Sequence, residues 1–262
     1  VVNGIEEYVG ETKYEDNKVV FSGAAFQPRT FSVRLKENAS LEMPENHSID
    51  IECNASALTV DEFSMSGDFD GEGNSFAAEL MPDVVEAGGI TFRMENNPAD
   101  YNYIRCDGQT ITLPEKHGYT KCYLLVTSSH GDRKASFQVD GKDYSFNIPF
   151  YSGFIGQWGW KGESEGYMKD ASIAYVGTHR HSSRAGGNES YIYTYLYKIC
   201  LNITSDARTL ILPKDAGVAL FAVTLSDNLN DDTRPAAEIR ALPHETVKVE
   251  YTTEPVAASR HR

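Results

Sequence analysis

From residue 18 onward the chain is a succession of short segments rich in β-branched and aromatic residues, each closed by Gly, Pro, Asn or Asp. KVVFSGAAF, RTFSVRLK, SIDIECNA, GITFRM, QTITLP, KCYLLVTSS, KASFQVDG, YSFNIPF, ASIAYVG, YIYTYLYKICLNI, TLILP, VALFAVTLS and TVKVEYTT all read as strands. QVDGKDYSF reads as two strands joined by a two-residue Asp140-Gly141 turn. Amphipathic helices with caps are hard to find between these segments. Short strands at regular spacing, without crossover helices, predict an all-β, antiparallel β-sandwich rather than a parallel α/β sheet.

The order of segments suggests divisions. Residues 1–36 read as lead-in strands closing a preceding sandwich, and 37–64 as a polar connecting segment with one strand. Residues 65–226 carry the main run of strands. Residues 227–243, acidic and proline-bearing, read as a linker, and 244–262 as a terminal strand with a tail. A strand cannot stand alone, so the terminal one must pair elsewhere, and the lead-in strands are the obvious partners.

Charge and composition limit the partners. Thirty-eight acidic residues against 24 Lys and Arg leave a formal charge of -14, so nucleic acid and anionic membrane surfaces are not expected partners. No run of eighteen apolar residues occurs, which excludes a spanning helix. The opening VVNGIEEYVG does not read as a signal peptide. A periplasmic or secreted location is expected over a cytoplasmic one. Of the four cysteines, Cys106 and Cys122 could face each other across a hairpin or be buried free thiols. No CxxC pair suggests a thiolate zinc site. Five Asn-x-Ser/Thr sequons, at Asn38, Asn46, Asn54, Asn188 and Asn202, matter only in a eukaryotic secretory cell.

DFDGEGNSFAAE, residues 68–79, places Asp68, Asp70, Glu72 and Glu79 at the first, third, fifth and twelfth positions of a calcium loop, with Gly73 sixth. Its surroundings are not those of an EF-hand: Pro82 and two glycines follow, where a helix is required. The same residues are turn formers in their own right. Two readings therefore stand, an acidic entry turn of the sandwich and a Ca²⁺ site of another geometry.

Two further stretches carry candidate ligand contacts. GQWGWKGESEGY holds Trp158 and Trp160 among glycines, where indole faces can stack on sugar rings. THRHSSRAGGNESY holds His179, Arg180 and His181. On a strand the two histidines would share a face and Arg180 would point away. Such a pair can bond sugar hydroxyls, bond backbone groups, or hold a metal, although the spacing supplies no third ligand. Trp158, Trp160, His179, Arg180 and His181 are thus the expected sugar contacts. Tyr191, Tyr193, Tyr195 and Tyr197 alternate strictly and predict a packed face or an interface. No nucleophile elbow, zincin motif or phosphate-binding loop is present, and no pair of carboxylates stands out as catalytic.

The run SGDFDGEGNSFAAELMP, GITFRM, NYIRCDGQTITLP, YLLVTSSHGD and SFQVDG resembles the galactose-binding-like, jelly-roll sandwich appended to bacterial glycoside hydrolases. Phe69, Asp70, Gly71 and Gly73, then Gly108, Gln109, Thr110 and Ile111, carry this likeness. GFIGQW, AYVGTHRH, NESYIYTYLYKICLNI and ARTLILPKDAGVALFAVTLS, with FQPRTFSVRL before them, resemble the C-terminal region of bacterial α-mannosidases of glycoside hydrolase family 38. The resemblance spans most of residues 1–226. It implies a non-catalytic portion that braces a catalytic domain and contacts mannose-containing glycans. The Zn²⁺ and aspartate nucleophile of such enzymes belong to that other domain, which has no counterpart in this sequence.

Overall fold

In the computed structural model, described for residues 10, 12–15, 18–20, 30–31, 43–157 and 167–235, the chain divides into two units, 1–42 and 43–262. In the first unit, β1 (Lys13–Glu15) and β2 (Lys18–Val20) pair as an antiparallel hairpin, and Thr12 Oγ1 donates to the Val20 carbonyl at 2.7 Å. Most of the FQPRTFSVRL stretch and all of TVKVEYTT lie outside the described residues.

The second unit holds the remaining strands. They are β3 (Asn46–Ile49), β4 (Leu58–Thr59), β5 (Asn74–Ala77), β6 (Val84–Ala87), β7 (Ile90–Arg93), β8 (Ile104–Arg105), β9 (Thr110–Thr112) and β10 (Lys121–Ser128). Then follow β11 (Arg133–Val139), β12 (Lys142–Ile148), β13 (Gly156–Gln157), β14 (Tyr167–Met168), β15 (Ser172–Ser182), β16 (Gly187–Asn202), β17 (Thr209–Ile211) and β18 (Val218–Ser226). The large sheet runs β3-β18-β10-β16-β15-β5-β4, with β8 also paired to β18. Its pairs are antiparallel except β4 with β5. A second sheet, β12-β11-β17-β9, is antiparallel throughout.

The architecture is the expected β-sandwich, and the large sheet is covered on both faces. Cys122, Leu124 and Val126 of β10 point into a core shared with Phe137, Val139, Ile148 and Leu210 of the second sheet. Tyr123 and Leu125, one residue out of phase, point the other way. There they meet the β6-β7 hairpin through Ile90 and Phe92, and an aromatic cluster of Phe69, Phe76, Tyr103, Tyr151 and Phe221. Double coverage explains why KCYLLVTS and VALFAVTLS are near-continuous apolar runs rather than alternating ones. All nine residues of β18 are buried.

Local chemistry follows the sequence closely at the β11-β12 turn. Asp140 and Gly141 both take positive φ, 46° and 84°, as a type I′ hairpin requires. The Asp140 carboxylate also caps Arg208 and Thr209, whose amides donate to it at 3.0 and 2.9 Å. Residues 46–49 and 58–59, within the stretch read as a connector, are strands of the large sheet. Residues 227–235 lie against β10 and β16: Asn228 Nδ2 donates to the Tyr123 hydroxyl at 3.0 Å, and buried Lys198 pairs with Asp232 at 2.6 Å. All four cysteines are free thiols, so Cys106 and Cys122 do not bridge.

Candidate functional site

The 68–74 stretch is a turn built around one buried carboxylate. Asp70 is 2% exposed. Its Oδ1 accepts the amides of Glu72 and Asn74 at 3.0 and 3.1 Å. Its Oδ2 accepts Asn74 Nδ2 at 2.8 Å and the Tyr151 hydroxyl at 2.9 Å. Exposed Asp68 accepts the Gly73 amide at 2.8 Å. Gly71 and Gly73 lie at φ of 73° and 79°, and a Cβ on Gly73 would stand 2.1 Å from Ser183 Oγ. The spacing that resembles a calcium loop here closes a turn and seats it on the β15-β16 connection, where the Ser183 amide donates to the Gly73 carbonyl. The four acids are not drawn together: Glu72 engages the turn through its amide, and Glu79 reaches away to the Asp61 amide at 2.7 Å.

Beside this turn, two open grooves adjoin at Arg105 and Ala216. One, of about 510 Å³, is lined by Asn54, Ser56, Tyr101, Arg105, Asp107 and Gln109. The other, of about 440 Å³, includes Phe69, Gly71, His130, Arg133 and Asp215. Tyr101 is 59% exposed. The backbone beneath is fixed: Asn54 Oδ1 accepts the Arg105 amide at 2.8 Å, Gln109 Oε1 accepts the Asp107 amide at 2.7 Å, and Gln109 Nε2 donates to the Arg105 carbonyl at 2.8 Å. Arg133 pairs with Asp215 at 3.1 Å. The grooves thus combine an aromatic face with guanidinium, carboxylate and amide groups on a rigid floor. Phe69, Gly71 and Gln109, which carry the sequence likeness, line them.

The segment holding His179, Arg180 and His181 is the end of β15 at its hairpin into β16, in register His179↔Ser190, Arg180↔Glu189 and His181↔Asn188. Its polar composition hides the strand; only the His-x-His alternation betrays it. Arg180 points to the Asp70 side, pairing with Glu189 at 2.6 Å and lying 3.8 Å from Asp70 Oδ2. Burial acts to lower the Arg180 pKa, but bonds to Glu189 and Tyr151 outweigh it and hold it above the ordinary value. Burial, with the Asp70 carboxylate adjoining, pushes the Tyr151 phenol up.

His179 and His181 face the opposite side, ring centroids 5.8 Å apart. His181 is fully buried, its Nδ1 2.8 Å from Thr59 Oγ1 and its Nε2 3.2 Å from Asp61 Oδ1. Thr59 Oγ1 is in turn 2.6 Å from Ser75 Oγ. Asn188 Nδ2 donates to Asp61 Oδ1 at 3.2 Å, and Glu79 Oε2 lies 4.0 Å from His181 Nε2. Asp61 opens the short 3₁₀ turn Asp61–Phe63, far away in sequence, and no spacing rule points to it. Trp158 and Trp160 lie outside the described residues. Of the tyrosine row, Tyr195 and Tyr197 are buried, donating to the carbonyls of Gly153 and Phe150, while Tyr193 and Tyr191 emerge at the surface.

Compared with known proteins, residues 45–229 match the family model of the AziU2-like beta-sandwich domain. No curated protein matches the chain.

Proposed function

The chain belongs to the AziU2-like beta-sandwich domain family, and from that premise we propose that it is a non-catalytic binding module whose ligand is a glycan. The observation that carries this reading is the larger groove, where exposed Tyr101 stands with Arg105, Asp107 and Gln109. Sugar rings stack on an aromatic face while carboxylate, guanidinium and amide groups bond their hydroxyls. A volume of about 510 Å³ accommodates a mono- or disaccharide. The resemblance to the C-terminal region of family 38 α-mannosidases supplies the finer proposal. The module braces a zinc-dependent hydrolase domain and holds mannose-containing glycans near it.

A glycan array with the purified chain, followed by calorimetry, tests this. A mannoside hit weakened at least tenfold by Tyr101→Ala and by Arg105→Ala is expected. A blank array, or a hit indifferent to both variants, overturns it.

One observation favours a second reading, docking on a partner protein. Tyr191 is 80% exposed at φ 65°, a conformation an aromatic residue holds only under strain. Tyr193, two residues on, is also exposed, and the two rings offer aromatic surface suited to an interface. A blank array together with association that Tyr191→Ser abolishes would put this reading first.

A further inference from the structure

We propose that Asp61, His179 and His181 form a binding site for a divalent transition-metal ion of the zinc class. The site is independent of the glycan grooves. One nitrogen from each histidine and one Asp61 oxygen all lie within 4.8 Å of one another. His181 Nε2 and Asp61 Oδ1 are 3.2 Å apart. Two ligands of a tetrahedral zinc stand about 3.4 Å apart, so this pair already has the spacing of a coordinated edge. The third ligand needs only a small side-chain movement.

Three features distinguish this cluster from a hydrogen-bonded histidine pair. His179 Nε2 is buried without a hydrogen-bond partner among the described residues, an imbalance that a metal or a rotated ring would remove. His181 is oriented from behind by Thr59, the kind of outer contact that fixes the tautomer of a ligating imidazole. Asp61 is held by Asn188 and, through its amide, by Glu79 Oε1, while Glu79 Oε2 lies 4.0 Å from His181 Nε2, outside the three-ligand group. Nitrogen-rich ligation suits zinc, cobalt, nickel or copper rather than calcium or magnesium. Asp61 and Glu79 are 58% and 41% exposed, so an ion reaches the site from solvent. Bound there, it would link the 61–63 turn to β15.

The experiment uses the full chain, stripped with chelator. Zinc affinity is read by competition with a chromophoric chelator, and Co²⁺ is added for its visible absorption. One zinc per chain is expected, with affinity reduced at least tenfold in Asp61→Asn and in His179→Gln. The Co²⁺ spectrum should change in both variants, while His47→Gln, an exposed histidine of β3 outside the cluster and the grooves, leaves all readouts unaltered. His181 is too deeply buried for a clean substitution, so far-UV circular dichroism confirms the fold of the two milder variants. No stoichiometric zinc binding, or binding that both variants retain at full affinity, overturns the proposal.

Discussion

Asp70 shows how much one side chain can organise. It is buried, accepts four hydrogen bonds, and lies against the Arg180 guanidinium. Removing it strands the Glu72 and Asn74 amides, the Asn74 side chain and the Tyr151 hydroxyl, while Arg180 keeps Glu189, and each buried donor left unsatisfied costs about 1–3 kcal/mol. Asp70→Ala is therefore expected to lose about 3 kcal/mol in urea denaturation. Asp68→Ala, two residues away but exposed with one amide bond, should lose about 1 kcal/mol. Equal losses at both positions would contradict the assignment of the turn to Asp70.

At the scale of elements, β18 is the strand on which the sandwich depends. It pairs with β10 on one side and with β3 and β8 on the other, and both of its faces are covered. A register shift in the β10-β18 pairing leaves Phe221 beside Ala222 on the aromatic side. There Phe221 stacks on Tyr103 at 5.5 Å and meets Phe76 edge-on at 5.7 Å. Phe221→Ala should cost about 3–5 kcal/mol, the range for emptying an aromatic site in a core. Val176→Thr, on β15 and 47% exposed, should change stability by less than about 0.5 kcal/mol. Paired denaturation curves decide: a small Phe221 effect would mean that the aromatic cluster is not packed as described.

At the scale of the whole molecule, buried titratable groups set the alkaline behaviour. Burial pushes the Cys106 and Cys200 thiols up to about 12 and Cys53 to about 11, and raises Cys122 as well. An unfolded thiol loses its proton near 9.0, so these groups contribute stability that is complete below pH 9 and lost as pH rises toward 12. Lys169 acts in the opposite sense. Burial lowers it from 10.5 to about 8, so between those values the unfolded chain holds a proton that the folded chain has shed, and stability rises. A shallow rise from pH 8 to 9, then a fall, is expected in the urea midpoint. Lys169→Met should flatten the rise and leave the fall. A midpoint that climbs through pH 10 would contradict the burial of the thiols.

The sequence by itself determined the class of fold and much of its local detail. Strand periodicity, turn dipeptides and the continuous apolar runs KCYLLVTS and VALFAVTLS are local signals, and they map onto β10, β18 and the Asp140-Gly141 hairpin. Sequence also identified His179 and His181 as residues sharing a face, because alternation is a property of a single strand. Tertiary structure alone decided what those residues meet. Asp61 reaches His181 across 120 positions, and Asp70 reaches Tyr151 across 81. The grooves likewise arise from segments distant in sequence, among them 54–56, 101–109, 129–133 and 215–217. Strand pairing and layer packing bring these segments together, and no local pattern encodes such juxtapositions. The acidic spacing of residues 68–79 shows the same division: its ligand-like periodicity is local, whereas the direction each carboxylate takes is set by the neighbours that the fold delivers.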